Sequence, residues 1–133
     1  QIAQELRQIQ SIFLGIGAGV AAEDPMKSMR ALNLVAETTR LEQKIDQWEK
    51  ELSPLKNFVL PGGVLVASYA HLTRTAVRDS ERSFHRLKIA LELSEISCYL
   101  NRLSDYFFQL ARILNKHADV QDLIWQTHRD NIS

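Results

Sequence analysis

Three arginines, Arg74, Arg78 and Arg82, recur at every fourth position of one helical segment, and Glu81 lies beside them. Residues spaced i, i+4 share a helix face, where like charges destabilise the helix by about 0.2–0.5 kcal/mol per pair. The spacing therefore predicts a countercharge opposite the row. The countercharge is either an acidic neighbouring helix or subunit, or a bound polyanion such as a nucleotide phosphate chain. In the first case Glu81 pairs with Arg78 or His85; in the second Arg78 and Arg82 hold phosphate oxygens, and Glu81 orients them or faces Mg²⁺.

Two polar residues, Asn101 and Asp105, lie one helical turn apart in a stretch that is otherwise rich in Leu, Tyr and Phe. They are expected to be buried polar groups satisfied by the arginine row. Alternatively, Asn101 contacts a ligand and Asp105 fixes an arginine; the two interpretations are compatible, and the structural part suits Asp105. Phe58 lies in the apolar centre of a loop that ends in Pro61-Gly62-Gly63. An aromatic residue in such a loop is typically packed into a core or lines a pocket.

The composition limits the class of protein. The 133 residues include 16 basic and 16 acidic side chains, so a general electrostatic grip on nucleic acid or on an anionic membrane is not expected. A hydrophobic fraction of 45% fits one globular domain over residues 1–133. The single cysteine, Cys98, cannot form an internal disulfide. A single unpaired cysteine, together with the lack of a recognisable signal peptide or membrane span in this sequence, favours a cytoplasmic location. The histidine spacing matches no known metal-site motif, and no catalytic-triad or phosphate-loop motif stands out.

Apolar residues that recur every three or four positions predict an all-α, up-and-down bundle of about five long helices, and no strand is convincing. Whether the third and fourth helices are separate is left open. Gly15, Gly17 and Gly19 each weaken the first helix by about 0.8–1 kcal/mol relative to alanine. They therefore indicate close approach to another helix. The predicted helices cover residues 2 to about 22, about 25–52, about 63–91, about 93–117 and, as a short last helix, about 120–128.

Four blocks of sequence, in this order and over nearly the whole chain, resemble the PduO-type ATP:cob(I)alamin adenosyltransferases. The blocks are Leu6 to Ala18, Phe58-Val59-Leu60-Pro61-Gly62-Gly63, His71 to Arg82 with its arginines and Glu81, and Tyr99-Leu100-Asn101-Arg102-Leu103-Ser104-Asp105-Tyr106-Phe107. The resemblance implies a homotrimeric helical bundle with its active site between adjacent subunits. It also implies transfer of the adenosyl group of ATP to the cobalt of reduced cobalamin, with Mg²⁺ and with release of triphosphate.

The resemblance also implies roles for individual residues. Those that match ATP-site positions of the family are Arg78, Glu81, Arg82 and Asn101. Arg74 matches an arginine held by an ion pair across the subunit interface. Phe58 matches an aromatic residue beside the corrin ring, on the side of the lower axial ligand. Further partners expected from the family are a reductase or an adenosylcobalamin-dependent mutase.

Two departures from the family pattern stand out. Asp79 replaces the arginine that usually follows the position of Arg78, which removes a positive charge next to the phosphate site. The family's N-terminal Gly/Thr/Asp-rich nucleotide loop and first helix have no counterpart, and we expect residues upstream of Gln1 to supply them. An alternative function is a non-catalytic helical trimer that binds cobalamin or a nucleotide as a carrier or sensor. A second alternative is a structural bundle whose arginines only pair with acids.

Overall fold

The computed structural model describes residues 1–86 and 93–126, and within these residues the chain forms five helices. The predicted all-α bundle is confirmed, and the first, third and fourth predicted helices have boundaries near those observed for α1, α4 and α5. The last part of the predicted third helix, residues 87–91, lies outside the described residues. The helices are α1 (Ile2–Val20), α2 (Pro25–Leu32), α3 (Leu34–Glu51), α4 (Leu65–Arg86) and α5 (Leu93–His117).

Helices α1 and α2 form a hairpin that depends on small residues. A Cβ added to Gly15 would lie 2.5 Å from Cδ2 of Leu32, and one added to Gly19 would lie 2.8 Å from Cε of Met29. The expected close approach is therefore confirmed at these two glycines, where the contacts are with side chains of α2. It is wrong at Gly17, where an added Cβ would meet nothing within 4 Å.

The predicted single helix over residues 25–52 is wrong, because the chain breaks it at Asn33. This residue has φ 49° and ψ 59°, in the left-handed region, and it ends α2 and precedes α3. Asparagine is one of the few residues other than glycine that enters this region readily. The break lets α2 follow α1 while α3 turns to pack on α5. At the other end of α2, the carboxylate of Asp24 accepts a hydrogen bond from the amide of Lys27, and Pro25 occupies the first turn.

Helix α5 lies at the centre of the bundle, with α3 and α4 packed against it. Its buried side chains are found along most of its length and include Tyr99, Leu103 and Ile113. The Tyr106 ring packs 5.0 Å from that of Trp48 on α3, and its hydroxyl donates a hydrogen bond of 2.9 Å to Glu5 on α1. Burial and this carboxylate raise the pKa of Tyr106 well above its usual value. Tyr106 therefore keeps its proton, and its hydrogen bond to Glu5 connects α5 with α1.

The predicted last helix over residues 120–128 is wrong for the described part, residues 120–126, which is not helical. Val59 and Ile124 form an isolated antiparallel bridge. The amide of Leu60 donates to the carbonyl of Leu123 at 2.6 Å, and the amide of Trp125 donates to the carbonyl of Phe58 at 2.8 Å. Residues 127 and 128 of that prediction lie outside the described residues.

An apolar groove of about 890 Å³ lies between α1, α4 and α5. Its exposed walls include Phe13, Leu14, Val66 and Tyr69. This groove is lined by a face of α4 that does not carry the arginine row. Among the described helices, the chain contains none that is long and apolar enough to cross a bilayer.

Candidate functional site

Helix α4 presents the arginine row along one side, and the environments of its members differ. Arg78 and Arg82 are exposed, whereas Arg74 is half-buried. Arg82 is paired with Asp79, three residues earlier on the same helix. Arg78 has no ion pair with any residue that the structure describes. A single chain therefore neutralises one end of the row and leaves its centre available to an anion.

Glu81 does not pair with Arg78 or His85 within the described part of the chain, so the simplest form of the ion-pair interpretation is not observed. Its side chain is half-buried beside the row. The acidic residue that does pair in this region is Asp79, the first of the two departures found in the sequence. Asp79 thus neutralises one of the three cations of the row.

Arg74 lies over the ring of Phe108 on α5, with 5.1 Å between the guanidinium carbon and the ring centroid. A guanidinium over an aromatic face is attracted by the ring quadrupole. Its Nε is buried and has no hydrogen-bond partner among the described residues. Burial lowers the pKa of Arg74, and the charge of Arg78 adds to that effect, while Asp105 opposes it. Arg74 is therefore fixed in direction by packing and retains an unused donor.

Asp105 pairs with Arg102 of its own helix and makes no ion pair with the row on α4 among the described residues. The two side chains are 2.8 Å apart, and Arg102 also reaches Glu42 on α3 at 3.2 Å. Asp105 influences Arg74 only through its charge. Asn101 is half-buried on the same helix, and its carbonyl accepts a hydrogen bond from the hydroxyl of Ser104.

Phe58 is not packed into a core, contrary to the general expectation for an apolar loop. It is 79% exposed, and its neighbour Leu60 is 40% exposed. The one aromatic contact of Phe58 in the described chain is the edge of Trp125, at 6.3 Å between ring centroids. An exposed phenylalanine held in place by backbone pairing and by a second aromatic ring is well placed to receive a flat apolar ligand.

Sequence reasoning did not identify a buried polar group under this loop. Arg112 on α5 is 6% exposed, and its guanidinium donates to Asp122 at 2.9 Å and to the carbonyl of Ser53 at 2.7 Å. A buried arginine is usually paired in this way. The signal that could have found it is the single cation within the apolar stretch of α5, at a position where the helical pattern requires a buried side chain.

His71 lies one turn before Arg74 on α4 and is 6% exposed. Its ring contacts Phe108 at 6.1 Å between centroids, and in the part of the chain that the structure describes its Nε2 has no hydrogen-bond partner. Burial lowers the pKa of His71, the cation of Arg74 lowers it further, and Asp122 opposes both. The first half of α4 therefore carries a neutral imidazole and a half-buried guanidinium against one aromatic ring.

Together, these features place an unneutralised arginine on one side of α4 and an exposed aromatic loop before its start. The first suits a phosphate oxygen, and the second suits an apolar, planar group. No grouping of three or more histidine, cysteine or acidic residues that could hold a metal occurs among the described residues.

Comparisons with known proteins agree on one family. The sequence model of the family described as cobalamin adenosyltransferase matches residues 1–114. A corrinoid adenosyltransferase of Bacillus subtilis is 36% identical over 127 residues, which are 94% of this chain and 64% of that protein. The corrinoid adenosyltransferase MMAB of Homo sapiens is 36% identical over 133 residues, 92% of this chain and 51% of that protein. The chain thus spans about half to two-thirds of the length of these relatives.

The fold has counterparts among solved structures. A variant of the PduO-type ATP:corrinoid adenosyltransferase from Lactobacillus reuteri, complexed with cobalamin and ATP, superposes with a TM-score of 0.62. The match covers 92% of this chain and 84% of that one at 22% identity. A second variant of that protein, complexed with ATP, superposes with a TM-score of 0.60. At this identity the likeness concerns the arrangement of helices.

Proposed function

The chain belongs to the cobalamin adenosyltransferase family, and from this membership we propose that the complete protein transfers the 5′-deoxyadenosyl group of ATP to cob(I)alamin. The products are adenosylcobalamin and triphosphate. The observation that supports the proposal beyond membership is the state of Arg78 on α4, which is exposed and has no carboxylate partner among the described residues. If the arginines served only as ion-pair partners within one chain, we would expect Arg78 to be paired as Arg82 is.

The chemistry asks little of the protein in the way of acids and bases. The cobalt of cob(I)alamin attacks C5′ of the ribose, the bond between C5′ and its oxygen breaks, and triphosphate leaves with the electron pair. Cob(I)alamin is a strong nucleophile, so no general base is expected, and catalysis consists of in-line positioning and of stabilising a departing polyanion. Arg78 and Arg82 suit that stabilisation, because guanidinium groups bind phosphate oxygens with charge-assisted hydrogen bonds.

Mg²⁺ would enter this site with the nucleotide. The described residues offer no cage of three acidic or histidine ligands, but Mg²⁺ is usually held by one or two carboxylates together with substrate phosphates. Glu81 is the carboxylate of α4 that fits this part, because Asp79 is already paired with Arg82. The ion would neutralise charge on the triphosphate, and Asn101 would contact the nucleotide from α5.

Phe58 would lie against the lower face of the corrin ring. There it excludes water and the axial base, which makes the cobalt easier to reduce, since the ligation of the cobalt sets its electronic state. Its exposed fraction of 79% leaves the ring accessible to such a ligand. Residues 1–133 would form one helical-bundle domain.

The assembly we propose is a homotrimer, with the site between adjacent subunits. Contiguous exposed apolar surface usually marks an interaction site, and the groove between α1 and α4 exposes Phe13, Leu14 and Tyr69. Arg74 would meet its carboxylate in the neighbouring subunit, which would use its free Nε. A reductase or an adenosylcobalamin-dependent mutase would be a further partner, and the cytoplasm the location.

The test is adenosylcobalamin formation by the complete protein under reducing conditions, followed by the change in absorbance of the corrinoid. Arg78→Ala should weaken ATP binding or turnover severely, whereas Arg30→Ala, which removes the same charge from α2, should not. Phe58→Ala should lower activity with a cobalamin that must lose its axial base, and Leu55→Ala in the same loop is the matched control. Wild-type kinetics in Arg78→Ala would remove the row from the site.

The pairing of Asp79 with Arg82 favours one alternative, a non-catalytic trimer that binds cobalamin or a nucleotide as a carrier or sensor. It predicts saturable ligand binding by the complete protein without formation of adenosylcobalamin. A structural bundle would show no saturable binding when titrated with ATP.

A further inference from the structure

The segment Gln121–Gln126 lies on the bundle next to the Phe58 loop, and two of its residues engage that loop through the backbone. The amide of Leu60 donates to the carbonyl of Leu123, and the amide of Trp125 donates to the carbonyl of Phe58. These two hydrogen bonds flank the bridge between Val59 and Ile124. The position of the Phe58 backbone is therefore defined by a segment more than sixty residues later in the chain.

The same segment supplies a ring that constrains the Phe58 side chain. Trp125 meets Phe58 edge to face, with 66° between the ring planes. Edge-to-face pairs at such distances attract each other because the ring edge is positive and the face negative. Trp125 is itself 47% exposed, so the pair presents two aromatic surfaces to solvent.

The segment is anchored to the bundle by a partly buried ion pair. Asp122 accepts a hydrogen bond from Nε of Arg112 at 2.9 Å; the side chain of Arg112 is 6% exposed and that of Asp122 is 16% exposed. The two terminal nitrogens of Arg112 donate hydrogen bonds as well: Nη2 to the carbonyl of Ser53 and Nη1 to the amide oxygen of Gln109. Charge-assisted hydrogen bonds in a poorly solvated position are the strong ones. Among the described residues, no other side chain of this segment forms an ion pair with the bundle.

We infer that Asp122 is a positioning residue for Phe58: its ion pair with Arg112 holds the segment Gln121–Gln126 in the register that fixes the Phe58 backbone and sets Trp125 against its ring. The inference rests on the proposed function, because it assigns the Phe58–Trp125 pair to the lower face of a bound corrinoid. Asp122 touches no substrate and acts through the backbone pairing alone.

The first measurement concerns the segment and needs no ligand. Hydrogen exchange at the amides of Leu60 and Trp125 in the complete protein should accelerate by about ten-fold or more in Asp122→Asn, as expected when a charge-assisted hydrogen bond is lost. Asp119→Asn is the matched control. It removes the same charge from the same connection, and its left-handed backbone, with φ 55°, also suits asparagine. Asp122→Glu should recover part of the protection.

The second measurement concerns the corrinoid. Cob(II)alamin bound to the wild-type protein should show the absorption and electron paramagnetic resonance spectrum of a cobalt without its lower axial base. In Asp122→Asn and Trp125→Ala the spectrum should shift toward the base-on form, with little change in the Michaelis constant for ATP. Gln126→Ala, an exposed neighbour, should resemble the wild type.

The outcomes separate the two proposals. Unchanged amide exchange in Asp122→Asn overturns the anchor, and faster exchange with an unaltered corrinoid spectrum overturns its role in positioning Phe58. If the wild-type protein binds no corrinoid, the proposed function fails and this role of Asp122 fails with it, whatever the exchange rates show. Faster exchange together with a shifted spectrum, absent in Asp119→Asn, supports the inference.

Discussion

Asn115 joins the start of α4 to the end of α5, and its replacement should destabilise the protein more than any exposed change in the same loops. Its side chain is 1% exposed. Its amide oxygen accepts a hydrogen bond from the amide of Val64 at 2.9 Å, and its amide nitrogen donates to the carbonyl of Gly62 at 3.1 Å. Gly63 lies between them with φ +102°, and a Cβ there would be within about 2.1–2.5 Å of the Asn115 amide atoms.

Asn115→Ala leaves both backbone groups without their partners. Each unsatisfied group costs about 1–3 kcal/mol, and since both are only partly buried we expect a total loss of about 2–4 kcal/mol. For a chain of this length that loss lowers the melting temperature by about 10 °C. The measurement is the free energy of unfolding from urea titration followed by circular dichroism.

Asn115→Asp distinguishes the hydrogen bonds from the volume of the side chain. It has nearly the same size and keeps an acceptor for Val64, but it cannot donate to the carbonyl of Gly62 once it is ionised. We therefore expect a loss similar to that of Asn115→Ala at pH 7. Asn57→Ala, an exposed asparagine in the preceding loop, should stay within about 0.5 kcal/mol of the wild type. An Asn115→Asp variant as stable as the wild type at pH 7 would refute the reasoning.

Three further predictions concern other parts of the bundle. Burial lowers the pKa of His71, so below about pH 6.5 the unfolded chain binds a proton that the folded chain does not. The free energy of unfolding should therefore fall between pH 7 and pH 5, and it should fall less steeply in His71→Gln. Equal slopes for the two proteins in urea titrations would contradict this. Gly17→Ala should raise the free energy of unfolding by about 0.5–1 kcal/mol. Gly15→Ala should raise it less or lower it, because the added Cβ would meet the side chain of Leu32. If calorimetry finds Gly15→Ala the more stable variant, the packing described for these glycines is wrong. Asp79→Asn should release Arg82 and tighten ATP binding several-fold in titration calorimetry, and unchanged affinity would show that Arg82 is not in the site.

The helices and their order could be predicted from the sequence because their signal is local. Apolar periodicity located α1, α4 and α5 to within a few residues. It missed the break at Asn33, since a left-handed asparagine interrupts the backbone without interrupting the apolar pattern. It also assigned a helix to residues 120–128, where Ile124 and Trp125 have helical spacing but pair with a loop far earlier in the chain.

The candidate site was predictable only in part, for a related reason. The spacing of Arg74, Arg78 and Arg82 is visible in the sequence, but the partner of each is set by tertiary contacts. Spacing could not show that Asp105 reaches Arg102, that Arg74 rests on Phe108, or that Phe58 is exposed. Arginine and aspartate are common at protein surfaces, so the ion pair between Arg112 and Asp122 cannot be recognised from residue type alone. It can be recognised only when Arg112 is known to be buried and Asp122 partly buried.

The last two turns of α5 have a consequence for how the protein can vary. Arg112 contacts the connection after α3, Asn115 holds the turn before α4, and Lys116 reaches the carbonyl of Glu51, while the chain that follows α5 returns to the Phe58 loop. All connections at this end therefore share one support. An insertion or deletion in the connection between α3 and α4 would displace its contacts with α5 and with the returning chain together, so relatives should keep the lengths of both connections fixed and accommodate length changes elsewhere.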